Sequence, residues 1–331
     1  MIAFLARRLA AAAGILLVIC ALTFAIFYVA PDDPAQQACG KACTPERIAE
    51  IRGQLGLDRP VPEQFAAFLK GLVAGRSYGT GATAVQCPVP CLGFSFQTHV
   101  PVRELLVSRL PVSASIALGA AVLWLVVGVG AGVLAALRKG SWWDRAAMAA
   151  ALGGVSLPVY LTALVLQYVL VVVLRVLPYP RVAGFAEDPA GWFASMLMPW
   201  IALATLYAGM YARLSRTELI GALRQNFVRT ARAKGLPEAT VIRRHALRPA
   251  LTPIVTVFGM DLGALLGGAL ITESVFGLPG VGKLAADAIN SSDQPVILGV
   301  TLFAAGFVVL ANLTVDLLYA VLDPRIRLGA A

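Results

Sequence analysis

The stretch VSASIALGAAVLWLVVGVGAGVLAA, residues 112–136, decides the class of fold because it contains no charged side chain. An α-helix crosses the roughly 30 Å hydrocarbon core of a membrane with about 20 apolar residues. This stretch is longer than that, and its only polar side-chain groups are two serine hydroxyls and the indole N–H of Trp124. It therefore predicts a transmembrane helix.

The composition extends this prediction to the whole chain. Its 331 residues are 59% hydrophobic and 14% charged, whereas a soluble domain is about half apolar and about a quarter charged. Six apolar stretches are long enough to span a bilayer: 9–30, 112–136, 147–174, 196–214, 253–275 and 297–321. The first is too long for the apolar region of a signal peptide, and five more follow, so it predicts an uncleaved helix.

The net charge of +9 indicates topology rather than nucleic-acid binding. Lys and Arg accumulate in the cytoplasmic loops of membrane proteins. One orientation puts all the basic clusters on the same side: 7–8, 138–145, 213–248 and 325–327. The sequence therefore predicts an all-α polytopic membrane protein with six transmembrane helices and both termini in the cytoplasm (N-in and C-in).

This topology divides the chain into three parts. Residues 1–30 form the cytoplasmic N-terminus and the first span, and residues 31–108 form an extracytoplasmic segment. Residues 109–331 form a five-helix core with a cytoplasmic loop at about 215–250.

The cytoplasmic loop is the most basic part of the chain. NFVRTARAK, residues 226–234, predicts a short helix that Gly235 ends in a left-handed cap position. LPEATVIRRHALR, residues 236–248, predicts a second helix with Pro237 near its N-terminus, interrupted by Pro249 at the membrane. Two interpretations stay open. The arginines anchor the loop to anionic lipid headgroups, or the two helices dock into the groove of a partner protein.

The same loop resembles the EAA loop of the integral-membrane subunits of ABC importers. RTARAKGL…RHALR is similar to the form found in the dipeptide/oligopeptide/nickel permease family. Thr230, Ala231 and Gly235 stand at the two alanines and the glycine of the general motif, and Arg229 stands at its Glu. Other landmarks follow in the same order: ARRLAAAAGILLVICALTFAIFYVAPDDP, LGLDRPVPEQF, SLPVYL, ITESVFGLPGVG and VDLLYAVLDPRIR. Asp32 departs from the usual glycine of the first.

The resemblance implies a type I ABC importer permease fold in a bacterial inner membrane. The implied partners are a second homologous permease, two cytoplasmic ATPases, an extracytoplasmic substrate-binding protein and membrane lipid. The ATPases would bind ATP and Mg, so we expect no cofactor in this subunit and no enzymatic activity of its own. The implied substrates are di- or oligopeptides, with nickel chelates or glutathione-like peptides as alternatives.

The resemblance also assigns roles to residues. In the loop, Ala231 and Gly235 would permit close approach to an ATPase, and the basic side chains would make polar and ionic contacts with it. The residues implied in coupling are Arg229, Thr230, Ala231, Arg232, Lys234, Gly235, His245 and Arg248. The residues implied in a gate loop on the external side are Glu273, Phe276, Pro279, Gly280 and Gly282.

GLPGVGKL, residues 277–284, has the glycine and lysine spacing of a phosphate-binding P-loop, but Leu284 stands where a P-loop has Ser or Thr. The segment also follows a predicted transmembrane helix, whereas a P-loop follows a strand. We predict instead a tight external turn into a short helix.

Three features lie inside the predicted spans. Asp261, in span five, either lines the translocation path and meets a peptide amino group, or is satisfied by a neighbouring helix or water. The family has no motif residue there, which favours the second interpretation. Pro158 predicts a kink in span three. Gly263, Gly267 and Gly268 offer small surfaces for close helix contact.

Four cysteines lie in the extracytoplasmic segment as two C-x3-C pairs: Cys39, Cys43, Cys87 and Cys91. An oxidising compartment favours one or two disulfides, with three full pairings open, over a zinc site. We expect no metal site. His99 and His245 lie on opposite faces of the membrane, and no catalytic arrangement is visible. An ion-coupled secondary transporter is the alternative of a different class, but the chain has no internal repeat and few intramembrane ionisable residues.

Overall fold

The computed structural model describes residues 2–29, 35–36, 43–55, 57–78, 85–95, 97–181 and 184–322. Within these residues five helices are long and apolar enough to cross a membrane: Ala6–Ile26, Val102–Leu137, Pro189–Leu223, Glu238–Leu266 and Gln294–Val315. A pair of helices, Trp142–Ser156 and Val159–Val173, is bent by 97° at its break and makes a sixth candidate. The prediction of a helical polytopic chain is confirmed, and six spans result if the bent pair counts as one. The N-in, C-in orientation stays a prediction.

In chain order the elements are α1 (Ile2–Val29), α2 (Pro45–Leu55), α3 (Val61–Ala74), β1 (Arg76–Tyr78), β2 (Val85–Cys87), α4 (Val102–Trp124), α5 (Gly130–Leu137), α6 (Trp142–Ser156), α7 (Val159–Gln167), α8 (Pro189–Leu223), α9 (Asn226–Ala233), α10 (Glu238–Thr240), α11 (Leu247–Leu266), α12 (Leu270–Val275), α13 (Val281–Asn290) and α14 (Gln294–Leu322). Three π-helical segments join α4 to α5, extend α7 and join α10 to α11: Leu125–Val129, Tyr168–Val173 and Val241–Ala246. The antiparallel pair β1–β2 is a departure from the all-α prediction.

The chain is organised in two compact units. The first unit contains Met1–Ser113, Leu266–Leu270 and Pro279–Leu310. The second contains Ala114–Leu265, Ile271–Leu278 and Ala311–Ala331.

Two apolar clusters form the interior of the first unit. One joins α4, α13 and α14 through the buried residues Val102, Leu106, Val281, Ala288, Val296 and Val300. The other joins α1, α3 and α14 through Cys20, Phe68 and Leu298, where the rings of Phe24 and Phe65 lie 5.3 Å apart. The segment between α1 and α4, predicted to be extracytoplasmic, thus packs on α1 and α14 through its helix α3.

The second unit is built around α8, a helix of 35 residues along which α5, α6 and α7 pack. Glycines permit the close approach. A Cβ on Gly132 would lie 2.4 Å from the Ala212 carbonyl oxygen, and one on Gly209 would lie 2.5 Å from the Ala151 carbonyl oxygen. Small residues serve this purpose at membrane helix interfaces. The span predicted at 196–214 lies within this longer helix, which runs through Pro199 to Leu223.

The third span breaks where the sequence places proline. Helix α6 ends at Ser156, Pro158 is the N-cap residue of α7, and the two axes differ by 97°. Proline has no N–H to donate to the preceding turn, so the helical hydrogen bonds cannot continue across it. The predicted kink is confirmed.

The bounds predicted for the fifth span were wrong at both ends. The helix runs without a break from Glu238 to Leu266, so Pro249 does not interrupt it. The π-helical segment Val241–Ala246 directly precedes this proline, and such widened turns accommodate missing backbone hydrogen bonds. At the outer end the helix stops before Gly268, whose φ of 123° is accessible to glycine and not to L side chains. Gly268 is thus a helix-breaking residue and not part of a helix surface.

Candidate coupling loop and translocation-path residues

The cytoplasmic loop folds as the sequence predicts. Helix α9 covers Asn226–Ala233, and Gly235 follows with a φ of 76°. Pro237 is the N-cap residue of the next helix. Glycine suits this position, because other residues adopt a left-handed conformation only at a cost of about 1–2 kcal/mol.

One face of α9 packs on the chain itself. Val228 is 0% exposed and Ala231 is 5% exposed. The cluster that contains them comprises Ala136, Leu219, Ala222, Val228, Ala231, Val241, Ala246 and Ala250. The close approach of Ala231 to an ATPase stays a prediction, and in the structure its methyl group packs within the chain.

The opposite face of α9 is exposed. Helical spacing places Arg229, Thr230 and Ala233 on it, and all three are exposed in the structure. Ala233 is therefore the small residue at the centre of this face, a position that sequence reasoning missed. Gly235 is also exposed, and a Cβ there would meet no atom within 4 Å.

Two large apolar side chains flank the exposed face. Phe227 is 45% exposed at the beginning of α9, and Leu236 is 38% exposed just after the glycine turn. Sequence reasoning concentrated on the basic residues and missed both. Exposed aromatic residues beside charged ones are typical of protein interfaces.

An ion pair joins α9 to the segment that follows Gly235. Arg232 donates from Nε and Nη2 to the Glu238 carboxylate at 3.1 and 2.6 Å. The hydrogen bond with Glu238 holds the pKa of Arg232 above its ordinary value. Arg232 thus has a partner inside the loop, whereas Arg229 and Lys234 have none among the described residues. These two remain available to a partner.

The other two predicted coupling residues lie in the segment that follows Gly235. His245 is partly exposed in the π-helical segment Val241–Ala246, and Arg248 is exposed at the beginning of α11. Glu238, which accepts the hydrogen bonds of Arg232 from α9, lies in the same segment.

A second ion pair lies at the cytoplasmic end of α6 and α8. Arg216 donates from Nε and Nη2 to the two carboxylate oxygens of Asp144 at 2.6 and 2.9 Å. The backbone N–H of Gly140 also donates to Asp144, at 2.9 Å. Asp144 is 4% exposed. This pair was not predictable from the sequence, because its members lie 72 positions apart.

The gate-loop residues occupy two consecutive segments. Glu273 and Phe276 are buried in and after α12, and the backbone N–H of Leu278 donates to the Glu273 carbonyl oxygen at 2.9 Å. Gly277 has a φ of 68°, and Gly280 is the N-cap residue of α13. The predicted turn into a short helix is confirmed.

Pro279 and Gly280 lead into a close backbone contact. A Cβ on Gly282 would lie 2.5 Å from both the backbone N and the Cα of Leu270. Such a distance is shorter than real Cβ contacts, so only glycine fits at position 282. The neighbouring Val281 N–H donates to Ser113 Oγ at 2.8 Å.

Asp261, on α11, accepts a hydrogen bond at Oδ2 from the Tyr211 hydroxyl of α8 at 2.8 Å. Tyr211 is 0% exposed, and Asp261 is partly exposed. A neighbouring helix therefore satisfies one carboxylate oxygen, which was one of the two interpretations. The contact does not exclude a place on the translocation path, because the second oxygen remains.

The extracytoplasmic cysteines are oxidised where the structure describes them. Cys87 and Cys91 form a disulfide, and Cys43 is disulfide-bonded. Cys39 lies outside the described residues. In the part of the chain that is described, no group of three or more His, Cys, Asp or Glu side chains is placed to hold a metal ion.

Long apolar helices define the class of a polytopic membrane protein. Residues 1–117 match the N-terminal family model of binding-protein-dependent transport system membrane components, and residues 128–328 match the model of the inner membrane component itself. The chain belongs to this family of binding-protein-dependent transport system inner membrane components.

Several relatives match over almost their whole length. A putative peptide transport system permease protein of Brucella abortus (strain 2308) is 36% identical over 99% of each chain. The dipeptide transport system permease protein DppB of Escherichia coli (strain K12) is 34% identical over 99% of each chain. A chain of the inward-facing MetNI methionine ABC transporter matches with a TM-score of 0.51, covering 67% of this chain and 97% of that chain. Its 18% identity supports the fold alone.

The chain is thus a permease subunit of an ABC importer and a multi-pass inner membrane protein. Members of this family act in a transporter complex with ATPase and binding-protein partners.

Proposed function

We propose that this subunit forms half of a transmembrane path for di- or oligopeptides that an external binding protein delivers. The observation that supports this substrate is the match to relatives named peptide or dipeptide transport permeases, which extends over 99% of both chains. Because the sequence similarity extends over nearly the whole chain, it includes the membrane helices, which would line the path, and the loop, which would meet the ATPases.

The proposed complex pairs this chain with a second homologous permease and two cytoplasmic ATPases. ATP and Mg are bound by the ATPases, and this chain has no ATPase site of its own. The segment GLPGVGKL supports that assignment, because it follows the short helix α12 and begins α13 instead of joining a strand to a helix.

Coupling is proposed to run through residues 229–248. The exposed face of α9 carries Arg229 and the small Ala233 beside Phe227, and Lys234 follows at the end of the helix; neither cation has an ion-pair partner among the described residues. A helix with this surface suits a groove lined with acidic and apolar residues. Because α8 leads directly into α9 and shares an apolar cluster with it, a movement of the loop is transmitted to the membrane helices. A difference in binding free energy between the open and closed ATPase states drives that movement.

Reconstitution of the whole complex in proteoliposomes tests the proposal. ATP-dependent uptake of radiolabelled dialanine is expected when the cognate binding protein is present, and none is expected without it. Nickel–histidine chelate and glutathione, supplied as competitors at equal concentration, are expected to compete weakly. Uptake of either competitor without any uptake of dialanine would reject the peptide assignment.

A further inference from the structure

Asp261 is an ionisable residue in an apolar helix, and among the described residues it has no basic partner. It lies on α11 five positions before the helix ends at Leu266, inside a segment apolar enough to span a membrane. Ionisable side chains at this depth are costly and usually face a cavity or an opposite charge. Among the described residues no basic side chain pairs with Asp261, and its hydrogen bond to Tyr211 uses Oδ2. Oδ1 has no hydrogen bond among the described residues.

The partner that orients the carboxylate is rigid. Tyr211 is 0% exposed and lies beside Trp124, also 0% exposed, at a ring-centroid distance of 6.1 Å. The Trp124 ring stacks on Tyr207 at 4.6 Å. Since both Trp124 and Tyr211 are fully buried, the hydroxyl that binds Asp261 has little freedom to move. The carboxylate is therefore preoriented without being neutralised.

Aromatic rings surround the same point. Phe258 lies one turn before Asp261 on α11, and its ring centroid is 6.2 Å from that of Trp124. Phe258, Tyr207 and Asp261 are each partly exposed, and both rings contact the buried Trp124. Aromatic faces attract cations within about 6 Å, and ammonium groups are bound in this way. A carboxylate with aromatic neighbours is a site for an organic cation.

We propose that Asp261, oriented by Tyr211 and flanked by Tyr207 and Phe258, binds the α-ammonium group of the peptide as it passes through the membrane. The inference rests on the proposed peptide substrate. It also explains how a zwitterionic peptide enters an apolar path, because the ammonium group exchanges water for a carboxylate.

The chemistry of the contact is a charge-assisted hydrogen bond from the substrate N–H to Oδ1. Tyr211 is a positioning residue in this scheme, since it acts on the carboxylate and not on the peptide. The site accepts substrates by their free amino terminus and is indifferent to the side chains that follow.

Uptake of dialanine and ATP hydrolysis are measured together in proteoliposomes that contain the full complex and its binding protein. Asp261→Asn is expected to lower the number of peptides transported per ATP about tenfold, the loss typical of one charge-assisted hydrogen bond. Asp261→Glu keeps the charge and is expected to restore at least half of the wild-type ratio. Tyr211→Phe is expected to fall between these two, because the carboxylate stays but is no longer oriented.

Matched controls are offered by the chain. Asp287→Asn changes an exposed aspartate of α13, and Tyr168→Phe changes a tyrosine that is 61% exposed; both are expected to transport as the wild type does. Equal ratios for Asp261→Asn and Asp261→Glu would overturn the inference, since charge would then be irrelevant. Failure of Asp261→Asn to assemble, with normal assembly of the controls, would overturn it as well and show a structural role. Absence of dialanine uptake by the wild type would instead reject the proposed function.

Chemical access gives a second and independent readout. In a Cys20→Ser background, Asp261→Cys is expected to react with the cationic reagent aminoethyl methanethiosulfonate during turnover, and dialanine is expected to slow the reaction. Leu265→Cys, at a buried position one turn away, is expected to stay unmodified. No reaction at position 261 in an assembled complex that hydrolyses ATP would contradict a place on the path.

Discussion

Gly235→Asp is the substitution that most directly tests the coupling loop. Gly235 has a φ of 76°, and a Cβ at this position would meet no atom within 4 Å. The strain on the chain is therefore conformational only, about 1–2 kcal/mol for an L residue in the left-handed region. Aspartate tolerates this region better than most residues, which places the expected loss near the lower limit. The subunit is expected to insert and assemble normally.

The effect on a partner is much larger than the effect on the chain. The new carboxylate lies at the exposed turn between Lys234 and Leu236, on the surface proposed to contact an ATPase. A groove that accepts the unpaired cations Arg229 and Lys234 is acidic, and juxtaposed like charges at an interface cost several kcal/mol. Uptake of dialanine is expected to fall at least about tenfold, which corresponds to about 1.4 kcal/mol. ATP hydrolysis by the partners is expected to continue without transport.

Two variants separate strain, size and charge. Gly235→Asn has the shape of the aspartate without its charge and is expected to retain most of the uptake. Gly140→Asn introduces the same side chain at another exposed cytoplasmic glycine, where φ is 81° and no atom lies within 4 Å of a Cβ. It is expected to behave as the wild type does. Normal uptake by Gly235→Asp at wild-type protein levels would refute the coupling assignment.

Two further predictions concern contacts that hold the subunit together. Gly282→Ala is expected to lower the thermal midpoint of the purified complex in detergent, because its Cβ would lie 2.5 Å from the backbone of Leu270 and such overpacking costs about 1–3 kcal/mol. Asp144→Asn removes the carboxylate to which Arg216 donates two hydrogen bonds and is expected to lower the same midpoint, with a larger effect at low ionic strength.

Each of these predictions has a control in the same chain. Gly306→Ala adds a methyl group within α14 where no atom lies within 4 Å, so the midpoint is expected to stay or rise slightly. Glu218→Gln removes a charge two positions after Arg216 and is expected to have little effect, since no described residue pairs with Glu218. A Gly282→Ala midpoint equal to that of Gly306→Ala would contradict the close-contact argument. Equal midpoints for Asp144→Asn and Glu218→Gln would contradict the importance of the ion pair.

Features that depend on neighbouring positions in the chain were predictable. The spans follow from runs of apolar residues, and the break at Pro158 follows from a missing backbone donor. The helix-turn-helix of the cytoplasmic loop follows from Gly235 and Pro237. The error at Pro249 shows the limit of this reasoning. A proline predicts a missing hydrogen bond, but the preceding π-helical turn absorbs it without ending the helix.

The sequence by itself therefore determined that the chain is a polytopic helical protein and where its cytoplasmic loop turns, because hydropathy and backbone restrictions act locally. Only the tertiary structure decided which face of α9 is free, by burying Val228 and Ala231 against the chain's own helices. It also brought Tyr211 to Asp261 across 50 positions, and Arg216 to Asp144 across 72. Such contacts depend on how helices pack, and packing joins side chains whose separation along the chain contains no signal of their proximity.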